Sequence, residues 1–233
     1  MQLKGAVALV TGGSEGIGHG IADALVREGC KVTITGRREE VLRAVAPSMG
    51  AEWIAADAGI EADAVRTVKS VVERHGRLDL LVNNAGLGIF KPLVDTTLEE
   101  MQSIYRTNVF GPFLMAREAA RQFIAQGSGE LISIASTSAL KGSAGRTAYG
   151  SSKFALRGMT ECWREELRKH NVRVMLVNPS EVMTQFAAKA GAPREASDKK
   201  LRPKEIADAI VGALKIESRG FVPEFSVFAT NPF

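Results

Sequence analysis

Two hydrophobic rhythms alternate along this chain. Short unbroken apolar runs, such as Ala6-Val-Ala-Leu-Val-Thr11, read as strands buried on both faces. Between them apolar residues recur every three or four positions, as Ile21, Ala22, Leu25 and Val26 do, which is the helical rhythm. Strands are predicted over 6–11, 31–35, 52–57, 78–82, 130–135 and 172–177, with a short last one at 221–224. Helices are expected from the glycine turn to Gly29 and over 38–48, 61–75, 97–126, 149–169 and 203–216. The fourth is interrupted around Asn108 and Gly111-Pro112, where the Asn108 amide either bonds backbone at a kink or holds a water. Strictly alternating strands and helices predict an α/β chain built on one doubly wound parallel sheet, residues 1–233 forming a single domain. Residues 185–202 are polar, alanine-rich and charged with no strong element, long enough to suggest a mobile lid.

The turns between these elements carry the candidate chemistry. The first strand runs into Gly12-Gly-Ser14-Glu15-Gly16-Ile17-Gly18 and then a helix. Such glycines let backbone approach a pyrophosphate, and the helix start offers free N–H groups. The second strand ends at Gly36-Arg37-Arg38 without the acid that would hold a ribose 2′-hydroxyl. Arginine suits a 2′-phosphate instead, which favours NADP(H) over NAD(H). Asp57 closes the third strand, where it either accepts from an adenine amino group or caps the next helix. The fourth strand exits into Asn83-Asn84-Ala85-Gly86, the fifth into Ser136-Thr-Ser138, and the sixth into Asn178-Pro179-Ser180-Glu181-Val182-Met183-Thr184.

Composition narrows the picture. The chain has 233 residues, 45% hydrophobic and 24% charged, enough to bury a core without disulfide or metal. Cys30 and Cys162 are far apart and expected to be free buried thiols, and His19, His75 and His170 are as scattered, so no metal site is expected. The net charge of +4 is spread over helices interleaved with acids, which argues against nucleic acid. No apolar run approaches a membrane span or a leader, so no membrane association and a cytoplasmic location are expected.

Against this frame Tyr149-Gly-Ser-Ser-Lys153 gains weight. Its tyrosine and lysine share one helix face, one turn apart. A tyrosine pKa of about 10 is too high for proton exchange at neutral pH, and a neighbouring ammonium lowers it. Reaching 7 takes roughly three units, about 4 kcal/mol of differential stabilisation.

Thr11-Gly-x-x-x-Gly-Ile-Gly18, Asp57, Asn83-Asn-Ala-Gly86, Asn108, Ser136, Tyr149-x-x-x-Lys153 and Pro179-x-x-Val-x-Thr184 are each weak alone. In this order and spacing the chain resembles the short-chain dehydrogenase/reductase family over essentially its whole length. The resemblance implies a Rossmann-like fold and NADP(H)-dependent hydride transfer between nicotinamide and a carbonyl or secondary alcohol. It implies that Tyr149 is the general acid or base, that Lys153 tunes it and holds the nicotinamide ribose, and that Ser136 bonds the substrate oxygen. Asn108 would help hold a proton-relaying water. The dinucleotide would be held by Gly12, Ser14, Glu15, Gly16, Ile17, Gly18, Arg37, Arg38, Asp57, Ala58, Asn84, Ala85, Gly86, Tyr149, Lys153, Pro179, Ser180, Val182 and Thr184. A homodimer or homotetramer is implied, in which helices 100–126 and 149–169 pack across subunits; Phe154, Met159 and Trp163 serve that contact or the chain's own core. The substrate would be a 3-oxoacyl thioester or a small ketone, diketone or aldehyde; a non-catalytic redox sensor is the rival of another class.

Three departures from the family pattern follow. Glu15 stands where many NADP-preferring members have a base, and would repel a 2′-phosphate unless paired with Arg37. Ser180 replaces a common glycine. Glu130 and His170 stand where carrier-protein reductases carry basic residues, which argues against an acyl-carrier substrate. Lys189, Arg194, Lys199, Lys200 and Arg202 in 185–202 would attract an anionic substrate if they were not solvated charges.

Overall fold

The computed structural model describes residues 1–192, 195 and 197–231. Its elements alternate as β1 (Val7–Thr11), α1 (Gly16–Arg27), β2 (Lys31–Gly36), α2 (Glu39–Met49), β3 (Glu52–Ala55), α3 (Glu61–His75) and β4 (Leu80–Asn83). There follow α4 (Leu98–Tyr105), α5 (Gly111–Gln126), β5 (Gly129–Ile134), α6 (Thr147–Leu167), β6 (Val172–Pro179), α7 (Phe186–Lys189), α8 (Pro203–Leu214) and β7 (Glu224–Val227). The strands form one seven-stranded sheet in the order β3-β2-β1-β4-β5-β6-β7. Every pairing is parallel, from Val7 opposite Lys31 to Pro179 opposite Val227. This is the Rossmann-like, doubly wound fold that the strand–helix alternation predicts.

The unbroken apolar runs are explained by burial on both sides. Ala8 and Val10 of β1 face a core shared with α1 and α8. Val7 and Leu9 face the opposite core, shared with α3 and α5. Each fully buried Val or Leu side chain contributes about 1.5–3 kcal/mol. The chain runs outward from β1 through β2 to β3, then returns to start again at β4. The crevice that this reversal opens lies at the C-terminal ends of β1 and β4, where open α/β sheets bind ligands.

Several expectations need correction. Strand β3 stops at Ala55, because the backbone turns at Asp57, whose N–H donates to Asp63 and whose carboxylate accepts from Gly59 N–H. The last strand is Glu224–Val227 rather than 221–224: Pro223 uses its carbonyl to accept from Leu176 N–H and pairing starts after it. Segment 185–202 is not structureless, since it contains α7 and a bridge from Val182 to Leu201. Cys30 is buried, but Cys162 is exposed on α6. Met159 and Trp163 pack into the chain's own core while Phe154 stays 44% exposed.

Glu130 sits inside β5, buried against Arg173 of β6. It is at the N-terminal rim of the sheet, opposite the crevice. The departure it represents from carrier-protein reductases is therefore an internal ion pair and not a surface feature. Burial pushes its carboxyl up to about 7, against the pull of Arg173. Among the described residues no helix is long and apolar enough to cross a membrane, and no group of metal-binding side chains occurs.

Candidate active site

Above the C-terminal rim lies one cavity of about 1440 Å³. Its walls include Gly12, Ser14, Glu15, Gly16, Ile17, Arg37, Arg38, Asp57, Ala58, Asn84, Ala85, Gly86, Ser136, Tyr149, Lys153, Pro179, Ser180, Val182 and Thr184. Two residues of the expected site, Gly18 and Asn108, are not among its walls.

At the dinucleotide end the fold depends on close backbone approach. Gly12 adopts φ 65°, and a Cβ there would lie 2.9 Å from Ala85 Cα. A Cβ on Gly18 would meet Asn84 Nδ2 and Gly12 O at 2.3 Å each. Gly18 thus lets α1 close on the first turn from behind the wall. Asn84 Nδ2 donates to Thr11 O and Gly12 O, while Asn84 N–H and Ala85 N–H both donate to Thr11 Oγ1 at 3.0 Å. That hydroxyl therefore ties β1 to β4 at the crevice. No side chain caps the start of α1, and its first turn, which opens at the cavity wall with Gly16 and Ile17, carries no acid.

The charges at this end are not arranged as expected. Glu15 pairs with Arg38 at 2.9 Å and with Lys189 of α7, not with Arg37. The Lys189 and Arg38 contacts hold its carboxyl below the usual range against partial burial. Arg38 is thereby occupied. Arg37 is exposed beside Gly36 and has no ion pair among the described residues. Asp57 lines the cavity, and its Oδ1 accepts from Gly59 N–H in an Asx turn toward α3.

At the other end Tyr149, Lys153 and Ser136 converge. Tyr149 is buried, and burial pushes its hydroxyl above the ordinary value; the contact with Ser136 and the charge of Arg146 pull it down. Lys153 does not contribute to that pull. Its Nζ lies 5.7 Å from the tyrosine ring centre and donates to Ile134 O at 2.9 Å. Burial pushes Lys153 down to about 8. Both groups are desolvated, and within the chain it is Ser136 and Arg146 that favour the phenolate. The same contact distinguishes Ser136 from Ser138, whose N–H donates to Ser136 Oγ at 3.1 Å.

Asn108 lies in a π-helical turn, Arg106–Phe110, between α4 and α5. Its Oδ1 accepts from Leu87 N–H at 2.8 Å, and its Nδ2 donates to Leu87 O and Ser152 Oγ. Of its two sequence readings, backbone bonding at a kink is the one observed. Both amide hydrogens are used, so only the second lone pair of Oδ1 is left for a water.

Residues 6–195 match the pattern of the short chain dehydrogenase family. The chain belongs to that family. As a short-chain dehydrogenase it is an oxidoreductase acting on alcohol and carbonyl groups. Zerumbone synthase from Zingiber zerumbet is 35% identical over 193 residues, covering 80% of this chain and 72% of that one. A metagenomic short-chain oxidoreductase solved with NADP is 34% identical with a TM-score of 0.86, covering 99% of this chain and 100% of that one. The 3-ketoacyl-(acyl-carrier-protein) reductase of Brucella melitensis, solved with NADH, is 27% identical with a TM-score of 0.90 and the same coverage.

This short-chain dehydrogenase also has an aromatic wall that its sequence does not announce. Phe90 stands edge-on to Tyr149 at 5.4 Å, and Phe186 of α7 lies 5.5 Å from Tyr149 and 6.2 Å from Phe90. Phe90 N–H donates to Ala190 O, fastening α7 over the tyrosine. A Cβ on Gly88 would meet Phe186 Cζ at 2.8 Å, so the glycine makes room for it. The loop charges proposed for an anionic substrate are mostly spent: Lys189 on Glu15, Lys200 on Glu181 and Arg202 on Asp198. Lys199 is also engaged, and Arg194 lies outside the described residues.

Proposed function

We propose that this short-chain dehydrogenase uses NADP(H) to interconvert a carbonyl and a secondary or primary alcohol, with Tyr149 as its acid and base. The observation that carries this is the convergence of Tyr149, Ser136 and Lys153 at one end of a cavity whose other end has a glycine turn, an uncapped helix start and an unpaired Arg37. The residues fit the dinucleotide: the Gly12 and Gly16 backbone leaves no Cβ in the path of a pyrophosphate, and α1 opens at the cavity wall without a side-chain cap. Relatives solved with NADP and with NADH have this fold, so the choice rests on Arg37, whose guanidinium suits a 2′-phosphate.

Bound there, the nicotinamide supplies the hydride chemistry. The chain supplies proton management and orientation. Ser136 donates to the substrate oxygen and steadies the charge that grows on it. Tyr149 delivers the proton in reduction and removes it in oxidation. Lys153, kept near pKa 8 by burial, switches protonation close to the working pH and can restore the tyrosine's proton. Asn108 holds Leu87 and Ser152 in register with this cluster. Ile17, Thr184 and the Pro179–Val182 turn frame the ring, and Asp57 and Ala58 frame the adenine.

The chain acts as one domain with α7 and its flanks as lid. The exposed Phe110, Phe113 and Ile124 of the α5 region and Phe154 of α6 support a homodimer or homotetramer, to be checked by light scattering. A cytoplasmic location follows from the same reading. The test of the reaction is purified-protein oxidation of NADPH and NADH side by side over an acetoacetyl thioester, a diketone, an aromatic aldehyde and a steroid ketone. NADPH turnover is expected; NADH preference would assign the ribose pocket to Glu15 and not Arg37.

A further inference from the structure

The arginines of this chain are almost all committed. Among the described residues, Arg37, Arg106 and Arg146 are those whose guanidinium has neither an ion pair nor a hydrogen-bonded acceptor, and two of these three line the cavity. Arg37 stands at the dinucleotide end. Arg146 stands at the reacting end, with its guanidinium 4.2 Å from the centre of the Phe90 ring that abuts Tyr149. It is half-buried. Lys141 lines the same mouth and likewise has no acid partner among the described residues. Of the cavity's carboxylates, Glu15 is held by Arg38 and Lys189, Glu181 pairs with Lys200, and one oxygen of Asp57 accepts from Gly59 N–H. The reacting end is therefore aromatic on one side and cationic at its mouth, and among the described residues no acid pairs with Arg146 or Lys141. A stacked guanidinium is pre-ordered, keeps its five donors in plane, and loses little entropy when it meets a planar anion.

We infer that the physiological substrate is an anionic carbonyl compound, an aryl or other planar apolar body carrying a carboxylate or phosphate, and that Arg146 is the residue that selects it. The inference rests on the carbonyl-reductase reading for its reaction, but the anion site can be tested without it. Lys141 would steer the same group from the mouth of the cavity. The charge of Arg146 also favours the Tyr149 phenolate, so an anion seated there couples recognition to the proton-transfer group.

The test compares 4-formylbenzoate with its methyl ester as substrates of the full chain and NADPH. In the wild type kcat/KM for the acid exceeds that for the ester by about tenfold or more, the worth of one charge-assisted pair. Arg146→Gln brings that ratio close to one, mainly through KM, and Arg146→Lys restores part of it. 4-Formylphenyl phosphate in the same assay separates the two head groups: the faster of the two acids names the anion. Calorimetry of benzoate and phenyl phosphate with the protein alone gives a second readout, with binding lost in Arg146→Gln and kept in Arg37→Gln. A ratio near one in a wild type that turns over the ester overturns the inference and leaves the reaction standing. No turnover of either aldehyde counts against the reaction, and calorimetry then decides: anion binding that needs Arg146 upholds the site, while no binding, or equal binding by Arg146→Gln, overturns it. Thermal melts that match the wild type show that the variant is folded.

Discussion

At the N-terminal rim of the sheet Glu130 and Arg173 face each other with both side chains under 10% exposed, and Arg173 also donates to the carbonyls of Leu214, Ile216 and Gly220. Beside them Asp79 takes a bidentate contact from Arg77 and accepts from Val7 N–H at 2.9 Å. At the C-terminal rim Lys153 is as deeply buried, yet among the described residues one carbonyl is its only acceptor, and the half-buried Arg146 and the exposed Arg37 have none. Burying a charge costs several kcal/mol unless it is paired. One rim meets that cost inside the chain and uses charge to fasten strands. The other leaves it unmet, and unmet charge in a cavity is capacity for a ligand.

The sharpest way to break this contrast is to remove the proton carrier. Tyr149→Phe is expected to lower turnover by about a thousandfold, within the usual worth of a positioned acid, while leaving dinucleotide binding within a factor of about two. NADPH titration by fluorescence beside steady-state rates checks both halves. Retained turnover would remove the C-terminal rim from the chemistry altogether. The mirror experiment is Glu130→Ala. It leaves Arg173 buried without its acid and should destabilise the fold by about 3 kcal/mol, read as a lower urea midpoint, with KM unaltered. A change in KM instead would mean that the two rims are not independent.

Lys153 gives a smaller effect of opposite sign. Its folded pKa near 8 lies below the ordinary 10.5. Between those values the unfolded chain binds more protons, so this group's contribution to stability rises with pH across that window. Below about pH 8 its full burial penalty is present, about 3 kcal/mol from the shift. Lys153→Met removes the penalty but strands the Ile134 carbonyl, for a net gain of about 2 kcal/mol at pH 7. The variant should be inactive and more stable, and its advantage should shrink between pH 8 and 10.5. Denaturant melts at pH 7 and pH 10 measure this; a variant less stable at pH 7 would mean that Lys153 is satisfied after all.

The dinucleotide end was the legible one because its parts are local. Gly12 to Gly18 form a single turn and Gly36-Arg37-Arg38 ends a strand, so spacing alone places them; at the reacting end only Tyr149 and Lys153, which share a helix, are as local. The reacting end is assembled from afar. Phe90 and Arg146 come from two loops and Phe186 from the short helix α7, and neither periodicity nor a short motif signals that a ring from α7 will close on Tyr149. The partner of Glu15 was misplaced by one residue for a similar reason: Arg37 and Arg38 are neighbours, and only the twist at the end of β2 decides which one turns toward the glycine loop. That Glu130 pairs with Arg173 was not legible because Arg173 lies on the next strand, which only the register brings opposite it. Cys162, by contrast, sits on a long helix whose exposed face composition alone does not fix.

Glu15 provides the mildest and most discriminating test of the unmet-charge argument. It neutralises two cations at the C-terminal rim, holding Arg38 and Lys189 together across the mouth of the dinucleotide site. All three side chains are about half exposed, so each contact is worth at most about 1 kcal/mol. Glu15→Gln should release Arg38 to join Arg37 on a 2′-phosphate and remove a repelling charge. NADPH should then bind up to about fivefold tighter while NADH affinity stays within about twofold, and added salt should diminish the difference. The same change unfastens α7 from the glycine turn, so cleavage by trypsin at Lys189 should quicken in the protein without dinucleotide. Tighter NADPH binding with unchanged cleavage would separate the two roles of Glu15, and weaker NADPH binding would mean that the carboxylate orients Arg38 toward the phosphate rather than withholding it.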